Sequence, residues 1–255
     1  DGTQWNIETV DNTGNPDYYT SLALDNNNNP HISYMDGTNR DLKYAYNDGT
    51  WHIETIDTAG AVGFFSSIAL DSDNNPHISY YVSDPYYDLK YAYYDGTQWN
   101  IETIDSDLDW LPTSLALDSN NNPHISYTDG TNGDLKYASY DGTQWNIETI
   151  DSAGSVGRYT SLALDNNNNP HISYYDSTNR DLKYASFVPT PINPNDPNSV
   201  SSSSNGSQVN AATTTTALGN TVGMQTTGAP LAPLAIAVLS VLGGLFATRK
   251  KTISN

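Results

Sequence analysis

Histidine and glutamate recur at regular intervals in the first 187 residues, and both residue types can bind metals or transfer protons. One histidine stands in each copy of Pro-His-Ile-Ser-Tyr, at His31, His77, His124 and His171. One glutamate follows each Trp-(Asn/His)-Ile, at Glu8, Glu54, Glu102 and Glu148. General acid and base catalysis on a glycoside needs two carboxylates at one site, whereas each repeat supplies one. We therefore expect the histidines to make a repeated structural hydrogen bond and the glutamates to lie on outer strands.

Four segments rich in aspartate and asparagine offer a second possible chemistry, which is calcium binding. They begin at Asp25, Asp71, Asp118 and Asp165 and place oxygen-bearing side chains at their first, third and fifth positions. A calcium loop of the EF-hand type also needs glycine at position six and a later bidentate acid. Here proline occupies position six and a predicted strand follows at once. The pattern therefore favours hairpin turns and no cofactor, with calcium as the alternative.

These residues belong to a tandem repeat that predicts an all-β fold. The tryptophans of the Trp-X-Ile-Glu segments recur every 46 to 48 residues, as do the Pro-His-Ile-Ser-Tyr and Leu-Lys-Tyr-Ala segments. Each copy reads as four short alternating strands separated by Asn-, Gly- and Pro-containing turns. Four strands per repeat of about 47 residues predict a β-propeller of four-stranded antiparallel blades over residues 1–187. An open β-solenoid is the alternative fold.

The two ends of the repeat region are complementary. Residues 5–10 read as a fourth strand without the first three, and residues 161–187 read as the first three strands without a fourth. Pairing these segments would close a four-bladed ring and remove two exposed edges. Alternatively, the chain is an N-terminally truncated fragment of a larger ring, which its start in mid-repeat favours.

The hairpin between the third and fourth strands resembles the Asp-box of sialidase-like propellers, with Ser139, Asp141, Gly142 and Trp145 at the corresponding places. The aspartate-to-tryptophan spacing is one residue shorter than in that family. The Ser-Leu-Ala-Leu-Asp, Pro-His-Ile-Ser-Tyr and Leu-Lys-Tyr-Ala segments are similar to repeats of fucose-lectin-type propellers and of archaeal and bacterial surface proteins. These resemblances imply the propeller fold and leave the activity open.

The copies differ most in two sets of loops, which we expect to open on one face of the propeller. One set joins each fourth strand to the next first strand, and the other joins the second and third strands. Aromatic and arginine side chains in such loops suit binding of a sugar or a protein partner. The alternative explanation of the sequence differences is neutral drift in loops that are under no structural constraint. The candidate ligand-binding residues are Tyr18, Tyr19, Arg40, Phe64, Tyr86, Tyr87, Trp110, Arg158, Tyr159 and Arg180.

After the repeats the composition changes. Residues 188–228 are rich in Ser, Thr, Pro and Asn, which predicts a disordered stalk. Residues 229–248 carry no charge and are long enough for a transmembrane helix, and residues 249–255 begin with Arg-Lys-Lys, which predicts a cytoplasmic tail and repeats outside the cell. This layout resembles C-terminal sorting signals of surface proteins, including those of methanogens, so a sortase-like enzyme could cleave it.

Charge and composition narrow the function. The net charge is −19, and residues 1–187 hold 28 acids and 7 bases, or −21, which disfavours nucleic-acid binding. The absence of cysteine excludes disulfides and thiolate metal sites. We predict a membrane-anchored, non-catalytic surface module that binds a glycan or a surface protein. A sialidase-like glycoside hydrolase and a structural spacer are the alternatives, although the repeats contain only three arginines, Arg40, Arg158 and Arg180.

Overall fold

The computed structural model describes residues 2, 4–13, 15, 19–84, 86–109 and 112–188, and these form an all-β structure without a helix. The strands are close to those expected from the alternation of apolar and polar residues. They are β1 (Ser21–Leu24), β2 (Pro30–Asp36), β3 (Asp41–Asn47), β4 (Trp51–Asp57), β5 (Phe64–Leu70), β6 (Pro76–Tyr81), β7 (Leu89–Tyr94), β8 (Trp99–Asp105), β9 (Thr113–Leu117), β10 (Pro123–Asp129), β11 (Asp134–Tyr140), β12 (Trp145–Asp151), β13 (Arg158–Leu164), β14 (Pro170–Asp176) and β15 (Asp181–Ser186).

Consecutive strands pair into antiparallel meanders, one per repeat. We call β1–β4 blade 1, β5–β8 blade 2, β9–β12 blade 3 and β13–β15 blade 4; the first three have four strands each and the fourth has three. The first strands lie side by side, with β1 against β5, β5 against β9, and β9 against β13. This is the arrangement of successive blades in a β-propeller, with the first strand innermost and the fourth outermost.

The turn between the first and second strands is fixed by its leading aspartate. Asp25 Oδ1 accepts the backbone N–H groups of Asn27 at 2.8 Å and Asn29 at 2.7 Å, and Asp25 Oδ2 accepts the Asn29 side-chain amide at 2.8 Å. Asn28 has a φ of +66°, a left-handed conformation that asparagine tolerates well. Because the same bonds recur at Asp71, Asp118 and Asp165, these segments are hairpin turns.

The hydrophobic core lies between the blades. Three clusters of buried side chains each draw on two neighbouring blades. In the first, Leu42 and Tyr44 of blade 1 pack against Ile68, Ile78 and Tyr80 of blade 2. A single sheet cannot cover its own apolar face, so each blade depends on its neighbour for burial.

A polar bridge accompanies each apolar cluster. Asp57, at the end of the outermost strand of blade 1, accepts a hydrogen bond from Tyr80 of blade 2 at 2.8 Å and pairs with Lys90 Nζ at 3.1 Å. Burial raises the pKa of Asp57, but the Ala59 N–H, the Tyr80 hydroxyl and the Lys90 ammonium outweigh burial, so the pKa is lowered. Asp105 and Asp151 bridge the next two interfaces in the same way, through Tyr127 and Lys136 and through Tyr174 and Lys183.

The N-terminal segment does not form the ring-closing strand, which is one of the two arrangements that the sequence leaves open. Residues 5–10 form no strand and do not pair with β15. Instead, the segment lies against blade 1, where Glu8 accepts the Trp51 indole N–H at 3.1 Å and Asp11 accepts the Tyr34 hydroxyl at 2.6 Å. These are the contacts that Glu54 and Asp57 make to blade 2, so the segment takes the place of an outermost strand preceding blade 1.

The predicted stalk, transmembrane helix and basic tail lie outside the described residues, apart from Val188 at the start of the stalk. Within the described ranges, no helix has the length and apolar character needed to cross a bilayer.

We expect Tyr80→Phe to lower the free energy of unfolding by about 1–2 kcal/mol, because the buried Asp57 carboxylate loses a donor that phenylalanine cannot replace. Urea denaturation of the full chain measures the change. Tyr94→Phe is the matched control, since the half-buried Tyr94 hydroxyl has no hydrogen bond to the described residues, and it should change stability by less than about 0.5 kcal/mol. Equal effects of the two substitutions would contradict the bridging role of Tyr80.

Candidate ligand clefts between the blades

Two equivalent clefts open between neighbouring blades on the side of the Asp-Asn turns. The cleft between blades 1 and 2 has a volume of about 210 Å³, and the cleft between blades 2 and 3 has about 190 Å³. Each is lined by one histidine, three tyrosines, one tryptophan, one glutamate, two asparagines and one proline. The first set is His31, Tyr44, Tyr46, Glu54, Asn74, Asn75, Pro76, Tyr94 and Trp99, and the second is His77, Tyr91, Tyr93, Glu102, Asn121, Asn122, Pro123, Tyr140 and Trp145.

Aromatic rings form the walls of both clefts. In the first, the Tyr44 and Tyr46 rings are stacked at 5.6 Å between centroids, and Trp99 of blade 2 meets Tyr44 edge-on at 5.4 Å. In the second, Tyr91 and Tyr93 are stacked at 5.5 Å. Because these rings come from strands on both sides of the interface, each cleft exists only where two blades meet.

A carboxylate and an indole are joined across each interface. Glu54 Oε2 accepts the Trp99 indole N–H at 2.9 Å, and Glu102 Oε2 accepts that of Trp145 at 2.9 Å. Among the described residues, the second oxygen of each glutamate has no hydrogen bond. Each cleft therefore offers one carboxylate oxygen as an acceptor beside an ordered aromatic surface.

The repeated histidines make the structural hydrogen bond expected from the sequence. In every blade, Nδ1 of the histidine contacts the hydroxyl of the tyrosine on the neighbouring third strand, in the pairs His31 with Tyr44, His77 with Tyr91, His124 with Tyr137 and His171 with Tyr184. Burial raises the pKa of Tyr44 and Tyr91, and the nearby Glu54 and Glu102 carboxylates raise it further. The tyrosines therefore stay neutral at physiological pH.

The third interface has a different cleft. The cavity between blades 3 and 4 has a volume of about 170 Å³ and contains Tyr137 and Glu148, but Phe187 and Val188 line it and no tryptophan does. Blade 4 ends at β15 and so contributes no fourth-strand tryptophan among the described residues. Glu148 consequently lacks the indole partner that Glu54 and Glu102 have.

Among the described residues, none of the loop residues predicted to bind a ligand lines either of the two tryptophan-containing clefts. The two loop sets are joined, as expected, because the Val62 N–H donates to Arg40 O at 2.9 Å and the Leu108 N–H donates to Tyr87 O at 2.9 Å. Among the predicted residues, Arg40, Arg158 and Arg180 are exposed, as are Tyr86, Tyr87 and Tyr159. Phe64 is half-buried against the core and contacts the half-buried Tyr19, and Tyr18 and Trp110 lie outside the described residues.

In the Asp-Asn turns, for which calcium binding is the alternative, backbone and side-chain amides occupy the aspartate carboxylates. In the part of the chain that the structure describes, no group of three or more histidine, cysteine, aspartate or glutamate side chains is placed to hold a metal ion.

None of the cleft residues is among the ligand-binding residues predicted from the sequence. Glu54 and Trp99 are 45 positions apart, and their recurrence was interpreted as structural. The sequence did contain a signal for this site. A glutamate and a tryptophan recur at fixed positions of every predicted fourth strand, although an exposed outer strand requires neither residue type.

The sequence matches no family model and no curated protein. Among solved structures, a triple arginine-to-alanine mutant of AofleA from Arthrobotrys oligospora has a TM-score of 0.52 at 14% identity, covering 66% of this chain and 56% of AofleA. A Dyadobacter fermentans protein of unknown function has a TM-score of 0.50 at 12% identity, covering 67% and 65%. The fucose-specific lectin of Aleuria aurantia has a TM-score of 0.47 at 14% identity, covering 66% and 57%. The chain spans less than two thirds of each, and the first two likenesses show the fold alone.

The buried histidines predict that stability falls on mild acidification. Burial lowers the pKa of His31, His77 and His124 below the usual 6.5, although the nearby turn aspartates partly oppose this. Below pH 6.5 the unfolded chain therefore binds protons that the folded chain does not, so the free energy of unfolding declines as pH falls from 6.5 towards the lowered values. The slope is at most about 1.4 kcal/mol per pH unit for each histidine. Urea denaturation between pH 7.5 and 5 measures it, and an unchanged slope in His77→Gln would contradict this origin.

Proposed function

We propose that the repeat region is a non-catalytic carbohydrate-binding module whose ligand sites are the two tryptophan-containing clefts between blades. The observation that carries this proposal is the repeated combination of stacked tyrosines, a tryptophan and one glutamate in two clefts of similar volume. Its support is chemical: the apolar face of a sugar ring packs on aromatic surfaces, and its hydroxyls donate to a fixed carboxylate.

Cleft size sets the class of ligand. Cavities of about 190 and 210 Å³ are smaller than sites for drug-sized ligands, so each cleft suits one terminal sugar residue of a glycan. Glu54 and Glu102 are the acceptors in this proposal, and neutral sugars with adjacent hydroxyls suit a carboxylate better than acidic sugars do. The net charge of residues 1–187 supports the same choice, since it is −21 (7 bases against 28 acids) and repels acidic sugars.

A glycoside hydrolase is the second candidate function. Retaining and inverting hydrolases use two carboxylates that flank the scissile bond. Each cleft is lined by a single glutamate and no aspartate, which favours binding over hydrolysis. Turnover of fluorogenic glycosides that is lost in Arg158→Ala would favour the hydrolase, and a spacer role would be favoured by neither binding nor turnover.

The double substitution Glu54→Gln and Glu102→Gln should weaken glycan binding at least tenfold, because an amide keeps the size of the side chain but replaces the carboxylate acceptor. A glycan array identifies the ligand, and calorimetry with the best-bound glycan gives the affinity of the full-length protein and its variant. Urea denaturation of both proteins establishes that the variant is folded.

Two further variants define the site. Asp73→Asn is the control, because this exposed turn residue lines neither cleft and is asparagine at the equivalent position of the other repeats, and it should leave the affinity within twofold. The pair Tyr86→Ala and Tyr87→Ala tests the loop surface predicted from sequence. Loss of binding in the loop variant with full binding in the glutamate variant would move the site to the loops and reject the clefts.

We further propose that the module is displayed at a cell surface by the apolar segment 229–248. The support is the uncharged run followed by Arg249, Lys250 and Lys251, together with the resemblance of this layout to surface-protein sorting signals. The proposed Asp-box kinship and an archaeal or bacterial source belong to the same hypothesis.

The full chain expressed in a bacterial host should remain with the membrane fraction after alkaline carbonate extraction, because a spanning helix inserts with a large apolar free energy. Replacing Leu239 and Leu242 by Lys should release the protein into the supernatant. Complete extraction of the unmodified chain would contradict the anchor.

A further inference from the structure

Both ends of the described arc of blades expose side chains that every internal interface buries. Leu22 of blade 1 is 62% exposed, whereas its repeat equivalents Ile68, Leu115 and Leu162 are 7–8% exposed. At the other end, Leu182 of blade 4 is 84% exposed, whereas Leu42, Leu89 and Leu135 are fully buried at 0%. Leu22 and Leu182 are therefore exposed because no adjacent blade covers them among the described residues.

The two open faces are the two halves of one interface. Blade 1 presents the surface with which a blade receives its predecessor, and blade 4 presents the surface with which a blade receives its successor. On the blade 1 side, a cavity of about 420 Å³ is lined by Leu22, Ile32 and Tyr34 together with Val10 and Asp11 of the N-terminal segment. Since the internal interfaces join these same repeat positions, the natural occupant of either face is the other face.

At the blade 4 end of the arc, no fourth strand pairs with β15 among the residues that the structure describes. At the blade 1 end, residues 5–11 have the sequence of a fourth strand but pair with no strand. Residues 5–11 have the sequence Trp-Asn-Ile-Glu-Thr-Val-Asp, which differs from β12 only in having Val10 in place of Ile150. Trp5 and Ile7 are 94% and 90% exposed, and the segment already bonds blade 1 through Glu8 and Asp11.

We propose that two copies of this chain associate head to tail, with residues 5–11 of each copy completing blade 4 of the other. The register follows from blade 3, where Ser139 lies opposite Asn146. The corresponding pair is Ser186 of one copy and Asn6 of the second copy. Blade 1 of the second copy then covers Leu182 of the first, and the two copies form a closed ring with two such interfaces.

The geometry favours a second copy over closure within one chain. Both Leu22 and Leu182 are exposed in the same molecule, so the arc does not bring its ends together. The arc aligns with 56% of the AofleA chain, so two is the smallest number of arcs that reaches the size of that chain. Joining two arcs pairs the open edge of β15 in each copy, which is the physical advantage of closure.

Association would also complete a ligand cleft. His171 and Tyr184 of one copy would face Glu8 and Trp51 of the second copy, which are the equivalents of residues lining the cleft between blades 1 and 2. Only the use of this cleft rests on the proposed function. The association itself is tested by cross-linking and mass, so its failure is distinguishable from a failure of glycan binding.

The absence of cysteine allows a direct cross-linking test on the full chain. The variants Asn6→Cys and Ser186→Cys, mixed and oxidised, should give a disulfide-linked dimer, whereas neither variant alone should. The double variant Ser139→Cys and Asn146→Cys is the positive control, because those residues are paired within β11 and β12. Asn6→Cys mixed with Ser152→Cys, an exposed position directly after β12, is the negative control.

Native mass measurement gives the independent readout. We expect the mass of two copies, and Leu22→Glu should raise the dissociation constant at least tenfold, whereas the control Ile53→Glu, at a position 41% exposed on β4, should change it less than twofold. A monomeric mass without a cross-link would overturn the proposal. A monomer that carries an internal disulfide in the Asn6→Cys and Ser186→Cys double variant would also overturn it, because the ring would then close within one chain.

Discussion

The structure depends on the contact between one blade and the next. A four-stranded meander has two faces and cannot bury either alone, and the three core clusters lie between sheets. Leu42, Leu89 and Leu135 are completely buried only because the following blade covers them. Stability in such a chain is a sum of nearest-neighbour terms, so a change in one interface affects that interface first.

The polar contacts of the interface determine how the apolar surfaces of neighbouring blades are positioned against each other. Burying Asp57 is unfavourable in itself, and the Tyr80 hydroxyl and the Lys90 ammonium offset this cost only when blade 2 sits in one position relative to blade 1. Close approach adds a steric constraint, since a Cβ on Gly157 would lie 2.9 Å from Leu135 Cα. Directional hydrogen bonds and a glycine contact thus fix where otherwise similar aliphatic surfaces meet.

Most of the fold could be predicted from the sequence, because the repeat period and strand alternation are local properties. Blades 1 to 3 have the four strands predicted for each copy of the repeat, and the recurrence of the histidines predicted their structural hydrogen bond. The site could not be predicted in the same way. Tyr44 and Trp99 meet only through the packing of two blades, and neither lies in the divergent loops that drew attention to Tyr86 and Arg158. Of the two arrangements left open for residues 5–10, closure of a ring within one chain is not found, because this segment lies against blade 1.

The near-identity of the interfaces has a consequence for how such a chain can change over time. Each junction uses the same aspartate, tyrosine, lysine and leucine positions, so insertion or loss of one entire unit of about 47 residues leaves every junction chemically unaltered. Unequal recombination between the repeated gene segments would therefore yield foldable products at once. Length in this architecture can vary in whole units without compensating substitutions, whereas an indel within a unit would disrupt the junctions on both sides.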